Sequence, residues 1–190
     1  MYIKKLVGER LYLSPMNSDD YVKFTHWDND NEIAMFSSNL SRPISFSKER
    51  DFLEDLSKDR LTFAIVDIDT DLAIGSIGFL DYSPLNRTSY YAIFIGDKNY
   101  WSKGYGTEAT MLLLDFGFNV LNLNNVMLEV MAINNRAISC YKKCGFKEFG
   151  RRHEATIMGD RKIDAVYMEI LAKDFKGESF VYKLINRDIT

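Results

Sequence analysis

Apolar and polar positions alternate in RLYLSPM from Arg10, which predicts a strand with one buried face. The NSDD that follows offers N-cap side chains, and Tyr21, Phe24 and Trp27 recur at helical spacing, so a helix comes next. SFSKERDFLEDLSKD, from Ser45, predicts a second helix with Ser47 as its cap and Phe52, Leu53 and Leu56 as its apolar stripe. From Thr62, TFAIVDIDTDLAIGSIGFLDY carries two β-rich runs parted by an Asp/Thr cluster, the pattern of a hairpin. SYYAIFI, from Ser89, lies between the turn-forming SPLNR and GDKN and adds a third antiparallel strand.

Beyond this meander stands the glycine-rich WSKGYGTEA, then a helix whose stripe is Ala109, Leu112, Leu113, Phe116 and Val120. VMLEVMA, from Val126, reads as a buried strand, and NNRAISCYKKCGF as a helix with Asn at its start and Gly145 as its stop. FKEFGRRHE and KIDAVYMEIL are two further strands that turn near residues 158–160. The order predicts an α+β fold on one mixed sheet, without repeats or linkers, as a single domain over residues 1–176. Residues 177–190 form a tail in which Phe180, Val181, Tyr182, Leu184 and Ile185 make a short apolar run. Such a run seeks cover, either as an edge strand on its own domain or at the interface of a homodimer.

The 190 residues suit one domain, and a composition of 46% hydrophobic and 27% charged residues is that of a globular protein. A net charge of -3 argues against a nucleic-acid binder and leaves room for a cationic substrate. The opening MYIKKLVGERLYL has only short apolar runs, so it resembles neither a signal peptide nor a membrane span, and a cytoplasmic protein without a membrane partner is expected. Cys140 and Cys144 fall on one helix face without a ligand-rich cluster, and His26 and His153 lack partners at ligand spacing, so no metal is assigned.

The GYG of the glycine-rich segment opens a helix after a strand, where exposed N–H groups and the macrodipole favour an anion such as a pyrophosphate. Gly104 and Gly106 permit close backbone approach and Lys103 adds a cation. A tight turn with positive φ and no ligand would use the same residues. The string G-x-x-x-x-G-K-[ST] is missing, and a Rossmann loop would follow the first strand of a βαβ unit rather than an antiparallel run.

IFIGDKNYWSKGYGTEA from Ile93, with LEVMAINNRAISCYKKCGF from Leu128, resembles the GNAT N-acetyltransferases, especially their ribosomal-protein-acetylating and spermidine-acetylating branches. RLYLSPMNSDD, the GSIGF strand and GRRHEATIMGDRKIDAVYMEIL extend the resemblance over nearly the whole chain. It implies a mostly antiparallel sheet of about seven strands, splayed between the fourth and fifth, with about four helices. It also implies acetyl-CoA as cosubstrate and a primary amine as acceptor, the amine of a protein N-terminus, a polyamine or another small molecule. The family's loop pattern falls on Trp101, Gly104 and Gly106, with tryptophan replacing the usual Arg or Gln, and the backbone of Lys103, Gly104, Tyr105, Gly106 and Thr107 would hold the pyrophosphate. Phe94 and Ile95 would pair with the pantetheine amides as if it were an added strand. The family's N-x-x-A-x-x-x-Y pattern falls on Asn134, Ala137 and Tyr141, which implies that Asn134 bonds the pantetheine arm and Tyr141 is the catalytic acid facing the thioester sulfur.

A phenol of pKa ~10 stays protonated at neutral pH and suits that task. No base is assigned, because Tyr90 stands where many relatives carry a glutamate; a water chain ending on Glu129, Asp81 or Glu32 is one alternative. Asp28, Asp30 and Glu32 cluster near the first helix and hint at a cationic acceptor. The missing strand carboxylate also motivates a rival reading, a non-catalytic acyl-CoA-binding or regulatory module, and a longer acyl donor is a third.

Overall fold

The computed structural model describes residues 1–37, 40–58, 61–177 and 179. The apolar run expected to cover an interface, at 180–185, therefore lies outside the described residues. Two compact units emerge, Met1–Gly78 with Ile93–Ala109, and Phe79–Ala92 with Thr110–Thr190. The architecture is α+β, with eight strands that are mostly antiparallel and include one parallel pair.

In the first unit, β1 (Leu6–Val7), β2 (Leu11–Pro15), β3 (Thr62–Asp67) and the start of β4 (Ala73–Ser83) pair in sequence as an antiparallel meander. Leu13 faces Ile65, and the β3–β4 hairpin turns where Asp67 Oδ1 accepts from the Thr70 backbone N–H and hydroxyl. The short β1 is the strand that the alternation pattern missed, since two residues cannot display a period. Three helices, α1 (Tyr21–Asp28), the single turn α2 (Asn31–Ala34) and α3 (Phe46–Lys58), fill the β2–β3 connection. The cap of α3 is Ser45, whose Oγ accepts from Lys48 N, two residues ahead of the expected Ser47. Both serines carry the right hydroxyl, and only the chain's entry angle separates them.

Tyr12, Met16, Phe24, Leu53, Ala64, Val66 and Ala73 form the core of this unit, with Trp27, Leu56 and Phe94 packed against it. Leu53 is fully buried, which contributes roughly 2–3 kcal/mol relative to exposure.

The second unit contains the first part of β5 (Thr88–Ile95), most of α4 (Tyr105–Asn119), β6 (Asn125–Met131), α5 (Asn135–Lys143), β7 (Lys147–Met158) and β8 (Arg161–Leu171). Its strand order is β5-β6-β8-β7, and β5 and β6 are the parallel pair. Their register runs only from Thr88↔Asn125 to Tyr90↔Met127, although β6 continues to Met131, so the strands splay where the resemblance predicted. Val126, Leu128 and Val130 of β6 are buried with Val166, Met168 and Ile170 of β8. Val120, expected in the α4 stripe, is exposed because the helix ends at Asn119. Gly145 stops α5 as expected, with a φ of 99° that a side chain would strain.

One feature of the helical layer has a pH signature. Glu49 on α3 is 3% exposed, hydrogen-bonds Asp28 of α1, and leaves Oε1 without a hydrogen-bond partner. Burial first, and then the Asp28 charge, push its carboxyl from 4.5 up to about 7. The native state thus holds a proton that the unfolded chain has released, so the stability present below pH 4.5 is lost as pH rises through about 7. Glu49→Gln should flatten that slope and raise the melting temperature at pH 8 by a few degrees, on the order of 1–3 kcal/mol. Scanning calorimetry from pH 5 to 8 checks it, and parallel curves for the two proteins would contradict the assignment.

Candidate active site

The glycine-rich segment lies in the first unit, and its shape is set by side chains from distant strands. Trp101 Nε1 donates to Ile95 O at 2.8 Å, tying the start of the loop to the end of β5. That bond gives a structural reason for tryptophan at this position. Asp97 caps the preceding short 3-10 turn by accepting from Asn99 N. Gly104 has a φ of 89°, a conformation that a side chain would strain, and the chain then enters α4 at Tyr105. The first intrahelical bond runs from Glu108 N to Gly104 O, so the amides of Tyr105, Gly106 and Thr107 lie ahead of the helical ladder.

Arg10, on the turn before β2, governs this region. Its Nη1 donates to Lys103 O at 2.8 Å and its Nε to Glu108 Oε2 at 2.9 Å. Glu108 Oε1 also accepts from the backbone N–H groups of Glu9 and Arg10, at 2.8 and 2.9 Å. An acidic side chain in the first turn would repel a bound anion, but here its charge is spent on two backbone N–H donors and the Arg10 guanidinium. The Arg10 guanidinium sits 4.7 Å from the Tyr105 ring centroid, and Tyr105 Oη donates to Asp67 Oδ2 at 3.0 Å. Burial raises the Asp67 carboxyl, but bonds from Thr70, Tyr105 and the backbone outweigh it and hold the group below the usual range. The same bond, after burial, raises the Tyr105 phenol. Lys103 is exposed and adds a cation beside the loop. An anionic diphosphate fits this chemistry: a positive-φ turn, amides ahead of a helix of 15 residues, and a nearby acid already neutralised.

Phe94 and Ile95 belong to the same unit. The Phe94 ring packs 6.1 Å from Phe24 and 6.2 Å from Trp27, so its side chain serves the core, and the Ile95 carbonyl already accepts the Trp101 indole. Asp30 and Glu32 hold Lys98 Nζ at 2.8 and 2.7 Å, while Asp28 bonds Glu49. Within its own unit this acidic cluster already holds one cation, through exposed ion pairs to Lys98.

Tyr141 and Asn134 lie in the second unit. Asn134 Oδ1 accepts from Ala137 N at 3.1 Å and so caps α5, fixing where that helix starts. Tyr141, seven residues on, is 8% exposed, edge-on to Tyr91 at 5.8 Å and 5.9 Å from Phe146. Burial first, and then the neighbouring cysteines, push its phenol well above the ordinary value, so it stays protonated. Tyr91 Oη shares a bond of 2.6 Å with Thr110 Oγ1, and Cys144 bonds both Cys140 and Thr110. Neither cysteine is in a disulfide, and the Cys140 contact and burial push the Cys144 thiol far up. Tyr90 is 39% exposed, and Glu129 bonds Arg152 at 3.4 Å and the Tyr167 hydroxyl. A shallow cleft of about 390 Å³, lined by Ala132, Ile133, Arg161, Lys162, Ile163 and Asp164, contains none of the expected residues. Among the described residues no helix is long and apolar enough to cross a membrane, and no group of three or more His, Cys, Asp or Glu could hold a metal.

Arg10, Glu108 and Asp67 were not foreseen. The only sequence signal for them is that GYGTE places an acid in the first helical turn, where it needs a partner.

Known proteins bear on this geometry in three ways. The model of the acetyltransferase (GNAT) domain matches residues 10–147, so the chain belongs to the GNAT acetyltransferase family and is an enzyme of that class. It is 28% identical over 180 residues to the uncharacterized N-acetyltransferase p20 of Bacillus licheniformis, covering 92% of this chain and 100% of that one. It is 33% identical over 115 residues to a spermidine N(1)-acetyltransferase of Escherichia coli (strain K12), covering 60% of each. Among solved structures, an acetyltransferase (GNAT family) from Bacillus anthracis superposes with a TM-score of 0.78 at 20% identity, covering 91% of this chain and 99% of that one. Spermidine N-acetyltransferase from Vibrio cholerae, in complex with CoA and spermine, superposes at 0.77 with 24% identity, covering 88% and 98%. At these identities the superpositions establish the fold, which is the one expected.

A β-branched side chain at position 104 would have to adopt the left-handed φ of 89° that Gly104 holds, and its Cβ would lie 3.1 Å from Arg10 Nη2. Gly104→Val should weaken CoA binding by roughly 5- to 150-fold, the equivalent of 1–3 kcal/mol of local strain, with the melting temperature changed by only a few degrees. Titration calorimetry with CoA checks this, and an unchanged dissociation constant would take the loop out of the site.

Proposed function

We propose that this enzyme moves the acetyl group of acetyl-CoA to a primary amine by direct transfer. The observation that carries the reading is the pinned turn at Gly104, whose helix-start amides are prepared for the pyrophosphate before any ligand arrives. Lys103, Gly104, Tyr105, Gly106 and Thr107 take that role, and the free lone pair of the Ile95 carbonyl and the backbone of Phe94 serve the pantetheine amides. Asn134 bonds the same arm with its amide nitrogen while its oxygen keeps the α5 cap.

When bound, acetyl-CoA supplies an activated acyl carbon and a thiolate leaving group. Tyr141 gives the proton to that sulfur. Its apolar setting against Tyr91 and Phe146 keeps the phenol neutral until a strong local base appears beside it. The spermidine N(1)-acetyltransferases among its relatives support an amine acceptor, with an alkyl polyamine as the first to try.

Thiol release with acetyl-CoA and a panel of polyamines, aminoglycosides and peptides bearing a free N-terminus tests the reading. Tight CoA binding without release on any amine would replace it with the binding-module alternative. In the active case, Tyr141→Phe should lower kcat by about 100-fold or more while CoA affinity stays within about two-fold, since only a transition-state proton donor is lost. Turnover that survives within about two-fold would move the acid elsewhere.

A further inference from the structure

Acetyl transfer through Tyr141 has no use for the two thiols that flank it. The chain has two cysteines, and α5 brings them together. Cys140 and Cys144 stand four residues apart on one helix face, and the Cys144 thiol hydrogen-bonds the Cys140 sulfur. Cys144 N donates to Cys140 O at 3.1 Å, so the backbone holds both residues within one turn. Cys140 is partly exposed, whereas Cys144 is 4% exposed. One thiol is open to a dissolved reagent, and its contact partner lies behind it.

Disulfide geometry is within reach of this pair. Four residues along a helix separate two Cα atoms by about 6 Å, inside the usual range of about 4.4–6.8 Å. The Cβ atoms stand about 5–6 Å apart, and a disulfide needs roughly 3.5–4.5 Å, so the end of α5 has to supply about 1 Å. Cys144 is the C-cap, with φ -79° and ψ -3°, and Gly145 after it holds a φ of 99°, so no helix continues beyond Cys144 to resist the movement. Tyr141 would feel that movement. Phe146 N donates to Tyr141 O at 3.0 Å, and the Thr110 hydroxyl that contacts Cys144 shares a bond of 2.6 Å with Tyr91 Oη. Drawing Cys144 towards Cys140 pulls it off Thr110 and unsettles Tyr91 and Phe146, the two rings packed on the phenol.

Resting on the acetyl-transfer reading above for its effect on turnover, we propose that Cys140 and Cys144 form a reversible disulfide that switches the enzyme off, with a small-molecule disulfide as oxidant. The Cys140 thiolate attacks one sulfur of that disulfide, its S–S bond breaks, and the departing sulfur takes the electron pair and then a proton. Cys140 is now a mixed disulfide. The Cys144 thiol gives its proton to solvent and its sulfur attacks the Cys140 sulfur, which releases the second small thiol. Two protein thiols are oxidised and one small disulfide is reduced to two thiols, so atoms and electrons balance. Contact with Cys140 is the first cause that holds the Cys144 thiol protonated, and a capped Cys140 no longer carries the charge behind it.

The test uses the full-length protein and oxidised glutathione. Because the chain has no other cysteine, intact mass reads the outcome. Wild type should become lighter by two hydrogens, carry no glutathione, resist alkylation by iodoacetamide and regain its starting mass with dithiothreitol. Cys144→Ala should stop as a glutathione adduct at Cys140, and Cys140→Ala, left with the buried thiol, should react about ten-fold more slowly or less. For turnover, acetylated amine is measured in place of released thiol, with the best amine of the panel. The kcat of oxidised wild type should fall by about ten-fold or more, with CoA affinity within about two-fold, and recover on reduction. Wild type that keeps both thiols, stops at the adduct or joins two chains overturns the disulfide. Wild type that forms it and keeps its turnover within about two-fold overturns the switch. A wild type that acetylates no amine overturns the acetyl-transfer reading and the switch with it, while intact mass still decides the disulfide.

Discussion

A single carboxylate organises the glycine-rich loop proposed to take the cofactor. Glu108 stands in the first turn of α4, where an unpaired negative charge would oppose any phosphate at the same helix start. The β1–β2 turn neutralises it with the backbone N–H groups of Glu9 and Arg10 and with Arg10 Nε, and the same guanidinium reaches on to Lys103 O. An isolated surface ion pair contributes little, but this one is multidentate, with Glu108 only 15% exposed. The result is a loop held in its working shape by protein groups. Trp101 and Tyr105 add two further ties, to Ile95 and Asp67, from strands on either side of the sequence. Ordering entropy that a slack loop would lose on binding is thus lost at folding instead.

In the proposed reaction the second unit applies the same logic to a proton. Tyr141 needs surroundings that keep it neutral and fixed, and Tyr91, Phe146 and the Cys140–Cys144 pair supply them. Tyr91 is itself anchored through Thr110, the first residue of α4 that belongs to this unit. The Asn134 cap sets the start of α5 and, seven residues later, the height of Tyr141 along it. An error of one residue at the cap would rotate the phenol by about 100° around a helix of 3.6 residues per turn.

What could be read in advance follows from how local each interaction is. The glycine turn, the Asn134 cap and the Gly145 stop announce themselves within a few residues, because each depends on backbone conformation at one place. The splay was inferred from family resemblance, and the short register of β5 with β6 bears it out. Glu108 looked like an ordinary helix-start acid, since Arg10 lies 98 residues away in sequence and no local rule joins them. Glu49 looked like one more charge on a solvated helix, yet it is buried against Asp28 because α3 turns that position inward on α1. Asp28, Asp30 and Glu32 hint at a cationic acceptor in the sequence, and the fold adds that Lys98, 66 residues beyond Glu32, pairs with two of them. Charge patterns show that partners are required, and only the fold shows which partners arrive.

Arg10, bonded to Lys103 O and Glu108 Oε2, orders the loop ahead of any ligand. Titration calorimetry of CoA into the wild type and Arg10→Ala measures this directly. The dissociation constant should weaken by about ten-fold or more in Arg10→Ala, with a more unfavourable binding entropy, because the loop must then be ordered by the ligand. Equal affinity and equal entropy in the two proteins would contradict it.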